Sequence, residues 1–410
     1  MAADASLAPA GEARIAWADG QMPVLRSIRE RFAAERPLDG VRVAACLHVT
    51  AETAALVRTL AAGGAAVALC AANPLSTQDD VVAALSAAGD AVVRARRGED
   101  LDAYADNVAA VVADGAHVTL DDGADLITFV HAAGRAATLV GGTEETTTGL
   151  VRVRALEAEG RLACPVIAVN EARTERLFND HYGTGQSTLD GILRATNLLL
   201  AGKTLVVIGF GTTGRGIADR ARGAGAQVVV CEVDPMRALE ARMEGFEVMP
   251  ALDAAERGDV FVTVTGSRGV LRGEHFARMK DGAVLANAGH FDVEIALDEL
   301  RAAATAGVRG VLPLVDQYDL GDRRLNLLAS GRVVNLAAGQ GHPPETMDMS
   351  FALQALATEH LVRSAGTLAP HVHPVPDGVD REVARLKLDA LGVRLDALTD
   401  DQRAYRTSWG

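Results

Sequence analysis

Short apolar runs alternate along the chain with segments of helical character. Val41–Cys46 and Ala65–Cys70 have the length and composition of buried strands, and Glu52–Ala62 between them reads as a helix. Val118–Leu120 and Val166–Val169 continue the strand pattern. Further helical segments are predicted at Met22–Ala34, Leu101–Ala113 and Leu150–Glu159. Strands and helices that alternate through short glycine-bearing connections predict a doubly wound parallel sheet.

The second half of the chain repeats this alternation. Strands are predicted at Thr204–Ile208, Gln227–Cys231, Val260–Thr263, Ala283–Ala286 and Val333–Leu336, and helical segments at Met349–Leu361 and Arg381–Leu391. The expected fold class is α/β, with two doubly wound parallel-sheet (Rossmann-like) domains and a short C-terminal helical tail. The expected domains are residues 1–183 with 349–385, residues 184–348, and a tail at 386–410.

The segment from Thr204 to Glu232 carries a dinucleotide-binding pattern. An apolar run ends at Gly209-Phe210-Gly211-Thr212-Thr213-Gly214, a helical segment and a second apolar run follow, and Glu232 ends that run. The first glycine permits the tight turn, the second lets backbone approach a pyrophosphate, and the third lets helix and strand pack closely. The helix N-terminus offers free N–H groups and a positive dipole end to phosphate. Because Glu232 can accept hydrogen bonds from both ribose hydroxyls and would repel a 2′-phosphate, the pattern predicts NAD rather than NADP.

Composition excludes several classes of protein. The formal net charge of −14 over 410 residues argues against nucleic acid as a partner, since phosphate binding requires clustered Lys and Arg. No apolar run approaches the length of a membrane span, and the N-terminus lacks a signal-peptide pattern. The four cysteines show no CxxC spacing and lie in or beside apolar runs, which favours buried thiols in a cytoplasmic protein without a metal site.

Polar clusters follow several of the predicted strands of the N-terminal half. His48-Val49-Thr50 follows the first strand, Asn73 to Asp79 follow the second, and Asp121-Asp122 follow a third. Ligands of open α/β sheets bind at the carboxyl ends of the strands, so these clusters predict a pocket at one edge of the sheet.

Several motifs of the chain resemble those of the S-adenosylhomocysteine hydrolase family, in its shorter branch without a basic, tyrosine-rich C-terminal tail. The motifs are His48-x-Thr50-x-Glu52-Thr53, Asn73-x-x-Ser76-Thr77-Gln78-Asp79, Asp121-Asp122-Gly123, Glu144-Glu145-Thr146-Thr147-Thr148-Gly149, Tyr182-Gly183-x-Gly185-Gln186-Ser187, Asn287-x-Gly289-His290-Phe291-x-Val293-Glu294, Asn335-Leu336 and Gly341-His342-Pro343. The resemblance covers essentially the whole chain. It implies a discontinuous substrate domain, an NAD domain at 184–348, NAD held through turnover, and a homotetramer or homodimer.

The resemblance also implies a reaction and a role for each motif residue. Bound NAD oxidises the ribose 3′-hydroxyl to a ketone, a base removes the acidified C4′ proton, and the C5′ substituent leaves to give a 4′,5′-alkene. Asp122 is expected to be the C4′ base, His48 to manage protons on the leaving group, and Glu145 to bind the ribose hydroxyls. Substrate binding is expected of Thr50, Glu52, Gln78, Thr147, His342 and Met347. Cofactor binding is expected of Thr146, Thr147, Thr148, Gly209, Gly211, Thr212, Thr213, Gly214, Glu232, Thr265, Gly289, His290 and Asn335, with His290 also expected in catalysis.

One segment departs from the family pattern. The family has a lysine, an aspartate and an asparagine at the positions occupied here by Glu175, Asn179 and Asp180. The formal charge of the three positions changes from 0 to −2, and the nearest lysine in the sequence is Lys203. An ammonium stabilises a developing alkoxide, whereas a carboxylate opposes it. The Coulomb energy at stake is roughly 4 kcal/mol at about 4 Å and an effective dielectric constant near 20.

Three interpretations of this departure remain open. In the first, Glu175 is the base for the hydroxyl proton, and Asn179 and Asp180 belong to a catalytic set with a changed substrate. In the second, Arg173 or Arg176 folds in and adenosylhomocysteine hydrolysis persists. In the third, the protein is an inactive relative that binds NAD and a nucleoside and regulates a partner. The first interpretation is preferred in a version that stops at the alkene, as a nucleoside dehydratase of the kind that occurs in nucleoside-antibiotic pathways. Such an enzyme expels hydroxide, a poorer leaving group than a thiolate, and needs a positioned acid.

Overall fold

The computed structural model describes residues 4–409, which form two β-sheets with helices packed against them. The first sheet has seven parallel strands in the order β15-β6-β5-β4-β1-β2-β3. Its strands are β1 (Arg42–Leu47), β2 (Ala66–Ala71), β3 (Val92–Arg94), β4 (Val118–Asp121), β5 (Gly141–Glu144), β6 (Val166–Ala168) and β15 (Val372–Pro374). Its helices are α1 (Ala8–Gly20), α2 (Pro23–Glu35), α3 (Ala51–Ala62), α4 (Asp79–Ala88), α5 (Leu101–Val111), α6 (Asp125–Ala132), α7 (Thr147–Ala158), α15 (Pro344–Arg363) and α16 (Asp377–Ala390).

The second sheet has eight strands in the order β12-β13-β14-β11-β10-β7-β8-β9. They are β7 (Thr204–Ile208), β8 (Gln227–Cys231), β9 (Glu247–Val248), β10 (Val260–Thr263), β11 (Ala283–Asn287), β12 (Gly307–Leu312), β13 (Val315–Asp319) and β14 (Arg324–Leu328). The remaining helices are α8 (Gly185–Thr196), α9 (Thr212–Gly223), α10 (Pro235–Met243), α11 (Ala251–Ala255), α12 (Gly273–Phe276), α13 (Leu297–Ala303), α14 (Val334–Ala337) and α17 (Asp400–Thr407). A π-helical segment, Glu175–Thr184, leads into α8.

Burial on both faces explains why the central strands are continuous apolar runs. The residues of β7 from Leu205 to Ile208 and those of β10 are all buried, as parallel strands covered by helices on both sides require. Within residues 4–409, antiparallel pairs occur only where β13 joins β12 and β14 at one edge of the second sheet. The predicted α/β fold with Rossmann-like sheets and a C-terminal helix is therefore confirmed, with an antiparallel edge that the sequence pattern did not indicate.

One predicted element is wrong. The run Val333–Leu336 was expected to be a strand, but Val334–Ala337 forms α14, and only a single bridge joins Val333 to Asn287 of β11. An apolar run of this length is compatible with either structure, and here packing decides. The Val334 carbonyl lies so close to Gly191 of α8 that a Cβ there would approach its oxygen to 2.5 Å.

The predicted domain boundaries fall inside helical elements. The boundary at 183/184 lies in the π-helical segment, that at 348/349 lies in α15, and that at 385/386 lies in α16. Residues 1–3 and 410 of the predicted domains lie outside the described residues. The division into a substrate domain, an NAD domain and a tail stays a prediction.

Two predictions from composition meet the structure directly. Cys46, Cys70, Cys164 and Cys231 are buried free thiols. Between residues 4 and 409 no helix combines the length and the apolar character that crossing a bilayer requires.

Candidate active site

A cavity of about 1430 Å³ opens where strands of both sheets end. Residues that follow β1, β4 and β5 line one side, and residues that follow β7, β8 and β11 line the other. Since single-ligand pockets usually measure about 300–1,000 Å³, this cavity has room for more than one ligand. The predicted site residues that line it are His48, Thr50, Glu52, Asp122, Glu145, Thr146, Thr147, Thr148, Glu175, Asn179, Asp180, Gly209, Gly211, Thr212, Thr213, Glu232, Thr265, Gly289, His290, Asn335, His342 and Met347.

Two predicted site residues lie behind the cavity wall. Gln78 was expected to bind substrate, but its Oε1 accepts a hydrogen bond from the Ala51 N–H at 3.2 Å and so holds the start of α3. Gly214 is buried in α9, where an added Cβ would lie 2.0 Å from the Gly209 carbonyl oxygen. It therefore acts through helix–strand packing, as the third glycine of the pattern should.

The glycine-rich turn fits a dinucleotide. Gly209 has φ of +104°, a conformation that favours glycine, and it follows β7 directly. A Cβ on Gly211 would meet only Arg237, at 3.6 Å, so no tight protein contact explains why position 211 lacks a side chain. The free space at the N-terminus of α9 is instead the room that backbone needs to approach a pyrophosphate.

Glu232 directly follows β8 and is hydrogen-bonded to this turn. Its carboxylate accepts hydrogen bonds from the Phe210, Val233 and Asp234 N–H groups at 2.7, 2.6 and 3.0 Å. These contacts hold the carboxylate at the cavity and leave it acceptor capacity for a ribose. The described residues thus fit NAD, with Glu232 placed to bind the ribose that NADP would carry phosphorylated.

Two uncharged side chains on the cavity wall each have a buried oxygen atom without a partner among the described residues. Asn335 Oδ1 and Thr148 Oγ1 are both buried without a hydrogen bond. Thr265, by contrast, is tied to Glu294, which accepts from its N–H at 2.9 Å and its hydroxyl at 2.7 Å. Buried polar atoms are normally paired, so the two orphans are candidates for contacts with a ligand.

His48, Asp122 and His290 form a cluster after β1, β4 and β11. Asp122 Oδ2 lies 3.4 Å from His48 Nε2, and Asp122 Oδ1 lies 3.7 Å from His290 Nδ1. Burial lowers the pKa of His48, while Asp122 opposes that effect. A neutral imidazole beside a carboxylate is a pair that can exchange protons with a ligand in the cavity.

Glu145 lies beside this cluster on the loop after β5. One carboxyl oxygen accepts a hydrogen bond from Gln354 Nε2, and the other is buried without a partner. Burial raises the pKa of Glu145 well above its usual range, and the nearby Glu175 and Asp122 raise it further. Burial likewise raises the pKa of Glu52 at the start of α3.

Glu175 is buried at the start of the π-helical segment. Its carboxyl oxygens accept from Ser350 Oγ and from Asn179 Nδ2. Burial, followed by the charge of Asp180, raises the pKa of Glu175 to about 8, against the stabilising hydrogen bonds from Ser350 and Asn179. Burial also raises the pKa of Asp180 to about 7. A cluster of four carboxyl groups thus lines one cavity: Glu175, Asp180, Asp122 and Glu145.

Neither of the two arginines considered as substitutes for the family lysine is paired with Glu175 among the described residues. The Arg176 side chain is 51% exposed and lies 3.4 Å from Glu171, at the rim of the cavity. Arg173 is exposed, and its N–H donates to Asp380. No hydrogen bond or ion pair joins either arginine to Glu175 among the described residues, although the charge of Arg176 opposes the rise in the pKa of Asp180.

His342 uses both ring nitrogens on protein groups. Nδ1 lies 2.6 Å from Asn179 Oδ1, and Nε2 lies 3.1 Å from Thr184 Oγ1 and 3.2 Å from Asn335 Nδ2. Burial lowers the pKa of His342 to about 4, so the ring is neutral at physiological pH. The predicted substrate contact of His342 must therefore use its ring carbons or its backbone.

Sequence reasoning missed two residues that support the site. Ser350 and Gln354 lie on α15, which the sequence indicated only as an apolar helical stretch, and they contact Glu175 and Glu145 respectively. Gln354 also accepts from Thr143 of β5 at 2.5 Å. The available signal was the presence of two polar residues four positions apart, on one face, within an otherwise apolar helix.

Among residues 4–409 no group of three or more His, Cys, Asp and Glu side chains is arranged to hold a metal ion.

Comparison with known proteins identifies relatives of this chain. The family model described as S-adenosyl-L-homocysteine hydrolase matches residues 1–140, and that described as its NAD binding domain matches residues 180–341. An adenosylhomocysteinase of Aquifex aeolicus is 55% identical over 409 residues, which cover 99% of this chain and 98% of that protein. An S-inosyl-L-homocysteine hydrolase of Methanopyrus kandleri is 53% identical, covering 99% and 96%. The solved structure of a dipicolinate synthase chain from Bacillus halodurans shares the fold at 13% identity, with a TM-score of 0.51 over 80% of this chain and 99% of that one.

Proposed function

The chain belongs to the S-adenosyl-L-homocysteine hydrolase family, whose cofactor is NAD, and from this premise we propose that it is a nucleoside dehydratase. The substrate is an adenosine-type nucleoside with a 5′-hydroxyl group. The product is the 4′,5′-alkene, and one water leaves. The reaction uses the oxidation–elimination chemistry of the family but omits the addition of water.

The buried carboxyl of Glu175 is the observation that carries this proposal. The family pattern has a lysine at this position, and in the structure Glu175 is 1% exposed and bonded to Ser350 and Asn179. Burial of a carboxyl is costly unless hydrogen bonds compensate it, and Glu175 has two such partners. The exchange from lysine is therefore built into the interior and is not a neutral substitution on the surface. Glu175 provides a proton acceptor for the sugar hydroxyl that is oxidised, in place of the ammonium group of the family lysine.

NAD, when bound, supplies the reversible hydride transfer that interconverts the 3′-hydroxyl and the ketone. Glu175 accepts the hydroxyl proton during oxidation and returns it when the ketone is reduced. Asp122 takes the C4′ proton, and the C5′–O bond breaks as the C4′–C5′ double bond forms. His48 receives this proton from Asp122 at Nε2 and passes it to the departing oxygen, so that the oxygen leaves as water. The reaction has no net redox change, because the oxidation is reversed before product release.

The raised pKa of Glu175 bears on the timing of this cycle. A group with a pKa of about 8 is largely protonated at neutral pH in the absence of ligand. The positive charge of an oxidised nicotinamide placed nearby would favour the ionised form, and so prepare the base only when the cofactor is in the state that can react.

Hydrolysis of adenosylhomocysteine is the second candidate function. It is favoured by the 55% identity to an adenosylhomocysteinase over nearly the whole chain and by the presence of His48, Asp122 and Glu145 in the cavity. It is opposed by the lack of a cation paired with Glu175 among the described residues: the hydrogen-bond partners of this carboxyl are Ser350 and Asn179, and Arg176 pairs with Glu171.

A substrate panel distinguishes the candidates. The NAD-loaded protein is incubated separately with adenosylhomocysteine, adenosine, 2′-branched adenine nucleosides and the corresponding hypoxanthine nucleosides, and the products are identified by mass spectrometry. Loss of one water from a nucleoside, with recovery of oxidised cofactor, supports the dehydratase. Rapid release of homocysteine with formation of adenosine rules it out. A protein that never reduces its cofactor with any of these compounds is the inactive relative.

A further inference from the structure

A chain of hydrogen bonds joins Glu175 to Asn335 across the cavity wall. Asn179 Nδ2 donates to a carboxyl oxygen of Glu175, and Asn179 Oδ1 lies 2.6 Å from His342 Nδ1. The opposite ring nitrogen of His342 lies 3.2 Å from Asn335 Nδ2. All four residues line the cavity.

The acceptor at Glu175 fixes the direction of every bond in this chain. A carboxylate oxygen only accepts, so Asn179 must turn its NH₂ group to Glu175 and its carbonyl to His342. A carbonyl also only accepts, so His342 carries its proton on Nδ1 and presents a lone pair at Nε2. Asn335 then turns its NH₂ group to the ring, an orientation in which the same group also donates to Ser187 Oγ at 3.2 Å. Its Oδ1 is left as the buried acceptor without a protein partner.

Protonation of Glu175 leaves the chain intact. The other carboxyl oxygen faces the Ser350 hydroxyl, which can donate to a carboxylate or accept from a carboxylic acid. The proton can therefore be held on the Ser350 side while the oxygen that faces Asn179 continues to accept.

We propose that Asn179 is a positioning residue that transmits the orientation set by Glu175 through His342 to Asn335, and so presents Asn335 Oδ1 to an amide N–H of the bound cofactor. The carboxamide of the nicotinamide is the group with this chemistry. The inference rests on the proposed function, since it joins the base for the sugar hydroxyl to Asn335, which would hold the nicotinamide end of the cofactor. It explains why an amide replaces the family aspartate at position 179: a second carboxylate there would repel Glu175.

The test begins with Asn179→Leu, which keeps the approximate volume of the side chain and removes both ends of its amide. Nitrogen NMR of ¹⁵N-histidine-labelled full-length protein should show His342 as a single Nδ1–H tautomer in the wild type and as a mixture in the variant. The affinity for NAD, measured by calorimetry on cofactor-free full-length protein, should fall about tenfold, the effect of one misdirected hydrogen bond. The His342 signals are assigned by their loss in His342→Gln.

Asn107→Leu is the matched control. Asn107 also donates its amide to a buried carboxyl, that of Glu99 at 2.9 Å, but this pair lies outside the cavity. It should change neither the His342 signals nor the affinity for NAD. Asn179→Asp should rescue the tautomer, because its carboxylate still accepts from His342 Nδ1.

Glu175→Gln separates the inference from the proposed function. Its amide oxygen can still accept from Asn179, so the His342 tautomer should stay as in the wild type while reduction of the bound cofactor by a nucleoside is lost. If Asn179→Leu keeps wild-type His342 signals and wild-type affinity, the inference is overturned. If Glu175→Gln still reduces its cofactor normally, the proposed base is wrong, whatever the NMR spectra show.

Discussion

His48 Nε2 lies 3.4 Å from Asp122 Oδ2, and the opposite ring nitrogen of His48 lies 2.6 Å from Ser76 Oγ. Ser76 gives its only hydroxyl proton to the Asn73 carbonyl at 2.8 Å, so His48 must carry its proton on Nδ1 when the ring is neutral. The Nε2 lone pair then faces a carboxyl oxygen. A proton that Asp122 takes from a substrate can therefore pass to Nε2 of His48 and from there to a leaving group.

Replacement of Asp122 by Asn should stop the reaction after oxidation. The variant keeps the shape of the side chain but loses the base, so the C4′ proton should exchange with deuterated solvent at least about 10²-fold more slowly, as expected for loss of a general base. The bound cofactor should still be reduced by substrate, and its absorbance should stay in the reduced form. Stopped-flow absorbance and mass spectrometry of recovered substrate measure the two steps.

Asp219→Asn is the control for this prediction. Asp219 lies 3.5 Å from His181 in a similar imidazole–carboxyl pair outside the cavity. It should exchange the C4′ proton at the wild-type rate. Wild-type exchange in Asp122→Asn as well would show that another group is the base.

Replacement of His48 by Asn should have an effect that depends on the leaving group. Hydroxide needs a proton to depart, since the pKa of water is about 15.7, whereas a thiolate with a thiol pKa near 8.5 leaves without one. We expect alkene formation from a 5′-hydroxyl nucleoside to fall at least about 10²-fold and that from a 5′-thioether analogue to fall far less. C4′ exchange should persist with both. Equal losses for the two substrates would remove His48 as the acid.

The sequence indicated the strands whose residues are apolar and failed where packing required something else. Gly141 and Gly142 of the central strand β5 give no apolar run, yet an added Cβ on Gly142 would lie 2.5 Å from Thr119 Oγ1, and one on Gly141 would lie 2.6 Å from Leu361. Crowding by neighbours therefore selects glycine in a strand that is fully buried. Patterns along one chain do not contain this information, because the neighbours are distant in sequence.

In the candidate site, too, the sequence indicated the residues within local motifs but not the contacts between distant elements. Motifs at strand ends predicted most of the residues that line the cavity, since the carboxyl ends of parallel strands share one edge. The exchange at Glu175 was also visible in the sequence, but the sequence did not show that Ser350 and Asn179 are its partners or that Arg176 pairs with Glu171 instead. Which groups neutralise a buried carboxyl depends on helix contacts that only the folded chain reveals.

Replacement of Glu175 by Gln should change the pH dependence of stability. In the folded protein the pKa of Glu175 is about 8, which lies above its ordinary value. The contribution of Glu175 to the free energy of unfolding is therefore fully present below about pH 4.5 and is lost as the pH rises through 8. Asp122, Glu145 and Asp180 face this carboxyl and make its ionisation costly. Relative to the wild type, Glu175→Gln should therefore gain at least about 1 kcal/mol in free energy of unfolding between pH 5.5 and 8.5. Urea unfolding at the two pH values gives the difference.

Glu171→Gln is the control of opposite sign. A hydrogen bond from Arg154 lowers the pKa of Glu171. The contribution of Glu171 to the free energy of unfolding is therefore present above its ordinary pKa and is lost only as the pH falls below that value. The difference between this variant and the wild type should stay constant between pH 5.5 and 8.5. Stability curves of Glu175→Gln that run parallel to those of the wild type would show that Glu175 is ionised throughout this range.

Replacement of Gly123 by Ala should displace His290. Gly123 has φ of +114°, and a Cβ there would lie 3.0 Å from His290 Nε2, the ring that faces Asp122. The change should cost about 1–3 kcal/mol in unfolding free energy from backbone strain, and it should lower kcat at least about tenfold because the ring must move. Gly134→Ala is the matched control, since Gly134 has φ of +65° and open space around it, so that it should lose stability alone. Steady-state kinetics and urea unfolding of both variants decide the matter, and an unchanged kcat in Gly123→Ala would mean that the position of His290 does not limit turnover.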